Sequence, residues 1–265
     1  MTPERMSKIK NSTVRVTIEN SNSIGTGFFI DSNGILLTCW HVVEPSIIKD
    51  ATGKITGFKK IFITTSDNAK IEVGIPLGFF NDENLNKKAF AFDFCALVPI
   101  KKIGKNVEFL KLGNFDNLKE GQEVYTCGYP LAIEQKFVSR GMVSTKYIDS
   151  NITVNYGGTN IKFERQTALL DLTMNRGNSG GAILTFGETM DKDEVIGIAD
   201  FIINPISGVA DDLIKYFDNS SGNVLISGID TNKTFSVFTE FLKSSYNGIS
   251  GCVSINHVKD SLNQK

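Results

Sequence analysis

Short runs of β-branched and aromatic residues recur along most of this chain at hairpin spacing, separated by clusters of Gly, Asn and Asp. The spacing predicts strands near 14–19, 26–31, 35–40, 61–66, 91–100, 123–129, 136–147, 166–173, 181–184 and 195–203. Asp31-Ser-Asn-Gly is a tight-turn signal, because Gly34 is free to take positive φ. Many short strands joined by turns fold into an antiparallel sandwich or barrel. With 265 residues, 41% of them apolar, the chain can bury one core or two small ones.

Helical signals are fewer. Residues 2–10 predict a short opening helix with Thr2 as cap and Pro3 in the first turn, and 257–263 predict a closing one. The stretch 205–247 differs from its surroundings: helix-like apolar spacing over 211–217 and 235–244 flanks a strand-like 223–229. It is expected to be a helix-containing insertion.

The net charge of −1 supplies no long-range field toward nucleic acid or an anionic membrane, so neither is an expected partner. The opening Met1-Thr-Pro-Glu-Arg has mixed charge and no following apolar stretch of a secretory signal. No apolar run approaches the roughly 18 residues of a membrane span. These features predict a soluble, cytoplasmic protein. Cys39, Cys95, Cys127 and Cys252 lie far apart, three of them in apolar runs, as small buried residues of a reducing compartment would. Neither CxxC nor a Cys/His pair at ligand spacing occurs, so no metal and no cofactor are expected. The sequons at Asn11, Asn151, Asn219 and Asn232 carry no weight without an export signal.

The chemistry concentrates in three places. Asn175-Arg-Gly-Asn-Ser179-Gly-Gly-Ala puts a hydroxyl in a glycine-rich turn, where a peptide carbonyl can approach and backbone N–H groups can converge. A serine needs a base, and the chain has two histidines. His41 closes the apolar run Leu36-Leu-Thr-Cys-Trp-His; His257, near the C-terminus, reads as a surface or helix-cap residue, and Trp40 as core packing. Asp93 is an acid inside Ala91-Phe-Asp-Phe-Cys-Ala-Leu-Val, where an unpartnered carboxylate would be costly. Singly these admit plainer explanations: a Gly-rich hairpin, a packed histidine, an exposed strand edge. Jointly they order as His, Asp, Ser, which suits nucleophilic catalysis.

The chain resembles the trypsin-like serine peptidases, and within them the HtrA/Deg type without a PDZ domain. The resemblance runs from Gly25-Thr-Gly-Phe-Phe through His41-Val-Val and Asp93-Phe-Cys-Ala-Leu to Leu112-Gly-Asn. It continues through Gly121-Gln-Glu-Val-Tyr-Thr-Cys-Gly-Tyr-Pro, Ser139-Arg-Gly-Met-Val-Ser, Asp171 to Gly181 and Glu194-Val-Ile-Gly-Ile. It covers about 12–204, and 251–262 looks like the family's closing strand and helix. Cys39, Trp40 and Arg176 depart from it, as does the insertion.

The resemblance implies an all-β fold of two six-stranded antiparallel barrels, the chymotrypsin-like double barrel, with short terminal helices and the insertion at about 205–247. It implies one peptidase domain over 1–265, with the N-terminal barrel at about 12–110 and the C-terminal barrel at about 111–265. His41, Asp93 and Ser179 become the expected catalytic triad, and the N–H groups of Gly177 and Ser179 the expected oxyanion hole. The expected activity is endopeptidase hydrolysis of protein or peptide substrates, with a regulatory protein partner at the insertion. A catalytically silent trypsin-like scaffold is the alternative. Asn178 precedes the serine where secreted zymogens carry an aspartate, so activation by a new N-terminal ammonium is not expected.

Thr173, six residues before the serine, is the expected floor of the specificity pocket, with Ala199, Phe201 and Val253 as further pocket candidates. Threonine brings no charge to compensate a buried cation. A peptide-library profile should therefore show cleavage after small, apolar or uncharged polar residues; one dominated by Arg or Lys would refute this assignment.

Overall fold

The structure, a computed structural model, describes residues 1–51, 55–76, 78–79, 82–104, 107–156, 158–202 and 249–262, with 212, 215, 225–226, 229–230, 232–235, 237 and 239 in between. The first half forms α1 (Pro3–Ser12), β1 (Thr13–Ile18), β2 (Ile24–Phe29), β3 (Leu36–Thr38) and the single turn α2 (Trp40–Val43). A small hairpin of β4 (Ile47–Lys49) and β5 (Ile55–Phe58) follows, then β6 (Ile61–Thr64), β7 (Lys70–Gly74), α3 (Glu83–Phe92) and β8 (Cys95–Pro99). The second half contains β9 (Glu123–Gly128), β10 (Phe137–Tyr156), β11 (Thr159–Asp171), β12 (Ala182–Thr185) and β13 (Val195–Ile202). It ends with β14 (Leu225–Ile226), β15 (Ile229–Asp230), β16 (Ile249–Ser254) and α4 (Ile255–Leu262).

Two barrels close. The first runs β1-β2-β3-β8-β7-β6 and the second β10-β11-β16-β13-β12-β9. The double barrel expected from the sequence is therefore what the chain forms. In β1 the inward Val14, Val16 and Ile18 alternate with half-buried Arg15 and Thr17, the period-2 pattern of a strand with one face on a core. Strand β12 is buried throughout, which fits its run of Ala, Ile, Leu and Thr.

The chain divides into two compact units, one of residues 1–201 and 250–265 and one of residues 202–249. Within the second, the described residues make the hairpin β14–β15 and helical backbone at 232–235. Most of the insertion at 205–247 lies outside the described residues; of the helices expected at 211–217 and 235–244, residues 212, 215, 235, 237 and 239 are described, each with helical backbone.

Several elements differ from the sequence reading. The strand expected at 91–100 starts only at Cys95, because Asp82 caps α3 by accepting from the N–H groups of Asn84 and Leu85 and the helix runs to Phe92. Strand β10 runs nine residues past the expected end at 147 and pairs with β11 across a bulge between Asp149 and Ile152. The hairpin β4–β5, with strands of three and four residues, and the five-residue β7 were too short to stand out, although Lys70-Ile-Glu-Val-Gly alternates.

Between the barrels, half-buried Lys136 is a staple. Its Nζ donates to the carbonyls of Lys10 (2.5 Å) and Thr13 (2.6 Å) and to Ser66 Oγ (2.6 Å). Burial lowers its pKa to about 8.

His257 is a packed residue rather than a surface one. Its ring stacks on Phe92 at 3.9 Å, and its Nε2 accepts the N–H of Gln166 at 2.9 Å. It thus ties the last turn of α3 to the second barrel. Burial lowers its pKa from 6.5 to about 4, with Asp260 opposing and Arg165 and Lys88 assisting. The folded pKa is depressed, so the unfolded chain binds the proton first; the contribution is complete above pH 6.5 and lost toward pH 4. Denaturation midpoints should fall as pH drops through that window, and His257→Gln should show a shallower fall over it.

Candidate active site

The loop carrying Ser179 is shaped by backbone that only glycine adopts easily. Gly177 and Gly180 have φ of +100° and +87°. A Cβ on Gly177 would collide with the Tyr129 carbonyl, and one on Gly180 with the Thr26 carbonyl and Thr38 Oγ1. These glycines let the serine loop press against the first barrel.

Thr26, fully buried on β2, fastens that loop. Its N–H donates to the Ser179 carbonyl (2.9 Å) and its Oγ1 to the Gly177 carbonyl (2.6 Å). The same Oγ1 accepts the Tyr129 N–H (3.2 Å), and the Thr26 carbonyl accepts Thr38 Oγ1 (2.7 Å). From β13, the Ala199 carbonyl accepts Gly180 N–H and Cys39 Sγ–H, and its N–H donates to Gly181. The N–H groups of Gly177 and Ser179 have no internal acceptor among the described residues.

His41 follows β3 in α2, with Cys39 as N-cap. Its side chain is 47% exposed, whereas Asp93 is 15% exposed. Asp93 is the left-handed C-cap of α3, with φ 49° and ψ 51°, and not a strand residue. That conformation turns its carboxylate onto His41: Oδ1 accepts the His41 N–H at 2.9 Å and Oδ2 pairs with Nδ1 at 2.6 Å. Burial alone would raise the Asp93 pKa, but the His41 hydrogen bonds and charge hold it well below the carboxylate range. Burial opposes protonation of His41, yet Asp93 bonded to Nδ1 raises its pKa, with Asp200 and Glu44 adding to the effect.

Ser179 Oγ leans to the Asp200 carbonyl at 3.5 Å and makes no bond to His41 among the described residues. Ligand-type atoms of Cys39, His41, Asp93 and Asp200 lie within 4.8 Å of one another. His41 Nδ1 and Asp93 Oδ2 are spent on each other, and the Cys39 thiol, pushed up by burial and by Asp93 and Asp200, donates to Ala199 at 3.2 Å. The set is a hydrogen-bonded cluster rather than a metal cage.

The pocket candidates have varied surroundings. Thr173 is exposed, and Ala199 and Val253 are buried, Val253 within the core. The Phe201 ring lies against Gly251 where a Cβ would stand, with the Arg165 guanidinium 6.0 Å from its centroid. Asn178 is 3% exposed, and its Oδ1 has no partner among the described residues. Met1 is exposed, and α1 is fastened instead by Arg5, whose Nε pairs with Asp193 at 2.9 Å. Sequence reasoning missed Thr26, Thr38 and Arg165 as site residues. A threonine between two glycines, Gly25-Thr-Gly, was the available signal for the first.

A family model described as a trypsin-like peptidase domain matches residues 25–198. A probable periplasmic serine endoprotease DegP-like of Buchnera aphidicola subsp. Baizongia pistaciae (strain Bp) is 30% identical over 188 residues, covering 71% of this chain and 32% of that protein. The protein of the same description from Pseudomonas putida (strain GB-1) is 27% identical over 181 residues, 67% of this chain and 29% of its own length. The match thus spans about a third of these relatives. A solved structure described as HtrA-type protease AlgW with tripeptide superposes with a TM-score of 0.59 at 16% identity, over 97% of this chain and 60% of that one. At that identity it speaks for the fold.

These relatives correct the cytoplasmic expectation, since they are named periplasmic. The expectation leaned on cysteine usage and on how the sequence opens. All four cysteines are buried, each with a relative exposure of 0%, so burial alone accounts for free thiols. Among the described residues no helix is long and apolar enough to cross a membrane, which says nothing of strands.

The close approach at Gly180 makes a stability prediction. Gly180→Ala should lower unfolding stability by about 2–4 kcal/mol, from the strained φ together with overpacking against Thr26 and Thr38. Urea denaturation measures it; an unchanged midpoint would mean that the loop does not need glycine there.

Proposed function

Because the chain belongs to the trypsin-like peptidase family, we propose that it is a serine endopeptidase working through an acyl-enzyme on Ser179. The observation that carries this reading is the 2.6 Å His41–Asp93 pair, one turn from the Thr38–Cys39 backbone against which the serine loop is pressed. The Ser179 hydroxyl rotates off the Asp200 carbonyl and gives its proton to His41 Nε2 as Oγ attacks the scissile carbonyl carbon. Asp93 keeps Nδ1 protonated and balances the imidazolium, and the Gly177 and Ser179 N–H groups receive the oxyanion. As the C–N bond breaks, His41 returns the proton to the leaving amine. Water, deprotonated by His41, then releases the acid and restores Ser179.

In this reading both barrels form one peptidase domain acting on protein or peptide substrates, at about 12–110 and about 111–265. The periplasmic setting of the relatives extends to this chain. Thr173 belongs to the specificity pocket with Ala199, Phe201 and Val253. The carboxyl of Asp200, paired with Arg165 at 3.1 Å, is not available to draw a basic side chain into it. Residues 205–247 serve as the docking segment for a regulatory protein partner.

A fluorophosphonate probe should label wild-type protein at Ser179. Ser179→Ala should abolish labelling and lower peptide hydrolysis by about 10^4-fold or more, with stability unchanged within about 1 kcal/mol. Wild-type protein that is folded yet neither labelled nor hydrolytic would leave the silent scaffold standing.

A further inference from the structure

The cluster around His41 contains a carboxyl to which the proposed reaction gives no role. Asp200 lies on β13 in the apolar run Ile196-Gly-Ile-Ala-Asp-Phe-Ile, with its side chain 11% exposed. Its backbone carbonyl takes the Ser179 hydroxyl. Its carboxyl oxygen Oδ2 accepts from Arg165 Nη1 at 3.1 Å. The two carboxyls come within 4.8 Å of each other and of His41 and Cys39.

Two largely buried carboxylates this close repel each other when both are ionised, so the pair favours holding one proton, and a protonated member can donate to its neighbour. Asp93 is held ionised by the two bonds it accepts from His41. Asp200 is the member left to carry the proton, since burial and the facing Asp93 charge both disfavour its ionisation. Arg165 pulls the other way, but its guanidinium also faces Asp149, its cross-strand neighbour, at 3.9 Å. The remaining titratable groups near Asp200 are His41, the thiols of Cys39 and Cys252, and Tyr147, with Glu44 acting beyond on His41. The thiols and the phenol are raised and therefore neutral around pH 7.

We propose that Asp200 is a positioning residue: held by Arg165, its protonated carboxyl donates a hydrogen bond to Asp93 and fixes the carboxylate that orients His41. This rests on the reading of His41, Asp93 and Ser179 as a triad. When Asp200 loses its proton, Asp93 loses a donor and gains a like-charged neighbour, and the added charge favours protonated His41. The site therefore carries a proton switch behind the histidine, set by the balance between Asp93 and Arg165.

The test has two arms. In Ser179→Ala protein labelled with 13C at aspartate carboxyls, one carboxyl should titrate in the neutral range and vanish from it in the added variant Asp200→Asn. If every aspartate titrates below about pH 5, the inference falls. In the Ser179 protein, fluorophosphonate labelling rates against pH form the second arm. Asp200→Ala should label roughly 10- to 100-fold slower, the worth of one hydrogen bond to a charged group. Asp200→Asn, which keeps a neutral donor, should recover most of that rate and move the acid limb of the profile to lower pH. An Asn variant that is folded by circular dichroism but no faster than Ala overturns the donor role. If the neutral-range carboxyl is present while wild-type protein does not label, the pair stands and the peptidase reading is what fails.

Discussion

The arrangement depends first on Thr26. One residue of the first barrel uses its N–H and its hydroxyl to hold the serine loop of the second barrel, while its carbonyl accepts from Thr38 within the first. The hydroxyl is engaged in both roles: it donates to Gly177 and accepts from Tyr129. A buried hydrogen bond left unmade costs about 1–3 kcal/mol, so the clamp resists being half-formed. It also explains why glycine is needed at 177 and 180, since the loop carbonyls and N–H groups must come flush against β2 and β3. Loop shape here is imposed from the neighbouring barrel. The serine loop on its own does not fix it.

A second constraint is electrostatic. Asp93 is buried and ionised because His41 supplies both of its strong hydrogen bonds, and His41 is raised because Asp93 faces it. Each group's state is maintained by the other, as expected where burial penalises any charge left alone. The left-handed cap at Asp93 is what makes the geometry possible. A strand residue at that position would alternate its side chain with its neighbours, whereas the cap redirects one carboxylate onto both the backbone and the ring of residue 41.

How much of this was legible in the sequence follows from where the information sits. Barrel strands such as β1, β9 and β12 carry β-branched, inward-facing residues, so their periodicity showed through. The glycines around Ser179 and the acid in an apolar run likewise pointed to His41, Asp93 and Ser179. The helix before Asp93 was read as strand, because Phe90-Ala-Phe-Asp-Phe-Cys alternates in composition while the cap signal at Asp82 lies eight residues upstream. The roles of Thr26, beyond its place between two glycines, and of Arg165 were missed for a different reason. Their significance lies in partners 151 and 35 residues away, which no local pattern records. Asp200 carried the same signal as Asp93, an acid in an apolar strand, yet what it faces is settled only by barrel closure.

The support for Asp93 extends past its hydrogen bonds. Its helix ends in Phe92, whose ring contacts Phe163 of β11 edge-on at 5.7 Å and stacks on His257 of α4. His257 is in turn pinned by the Gln166 N–H. Thus the last turn of a first-half helix is seated on the second barrel, through the stretch of β10–β11 that outruns the expected strand end. Strand β11 also supplies Arg165 to Asp200, two residues from Phe163 and on the same face. One strand therefore braces the cap that presents Asp93 to His41 and holds the Asp200 carboxyl beside it. A shift of β11 along β10 would disturb both contacts together, so the long hairpin couples the position of Asp93 to the integrity of the second barrel.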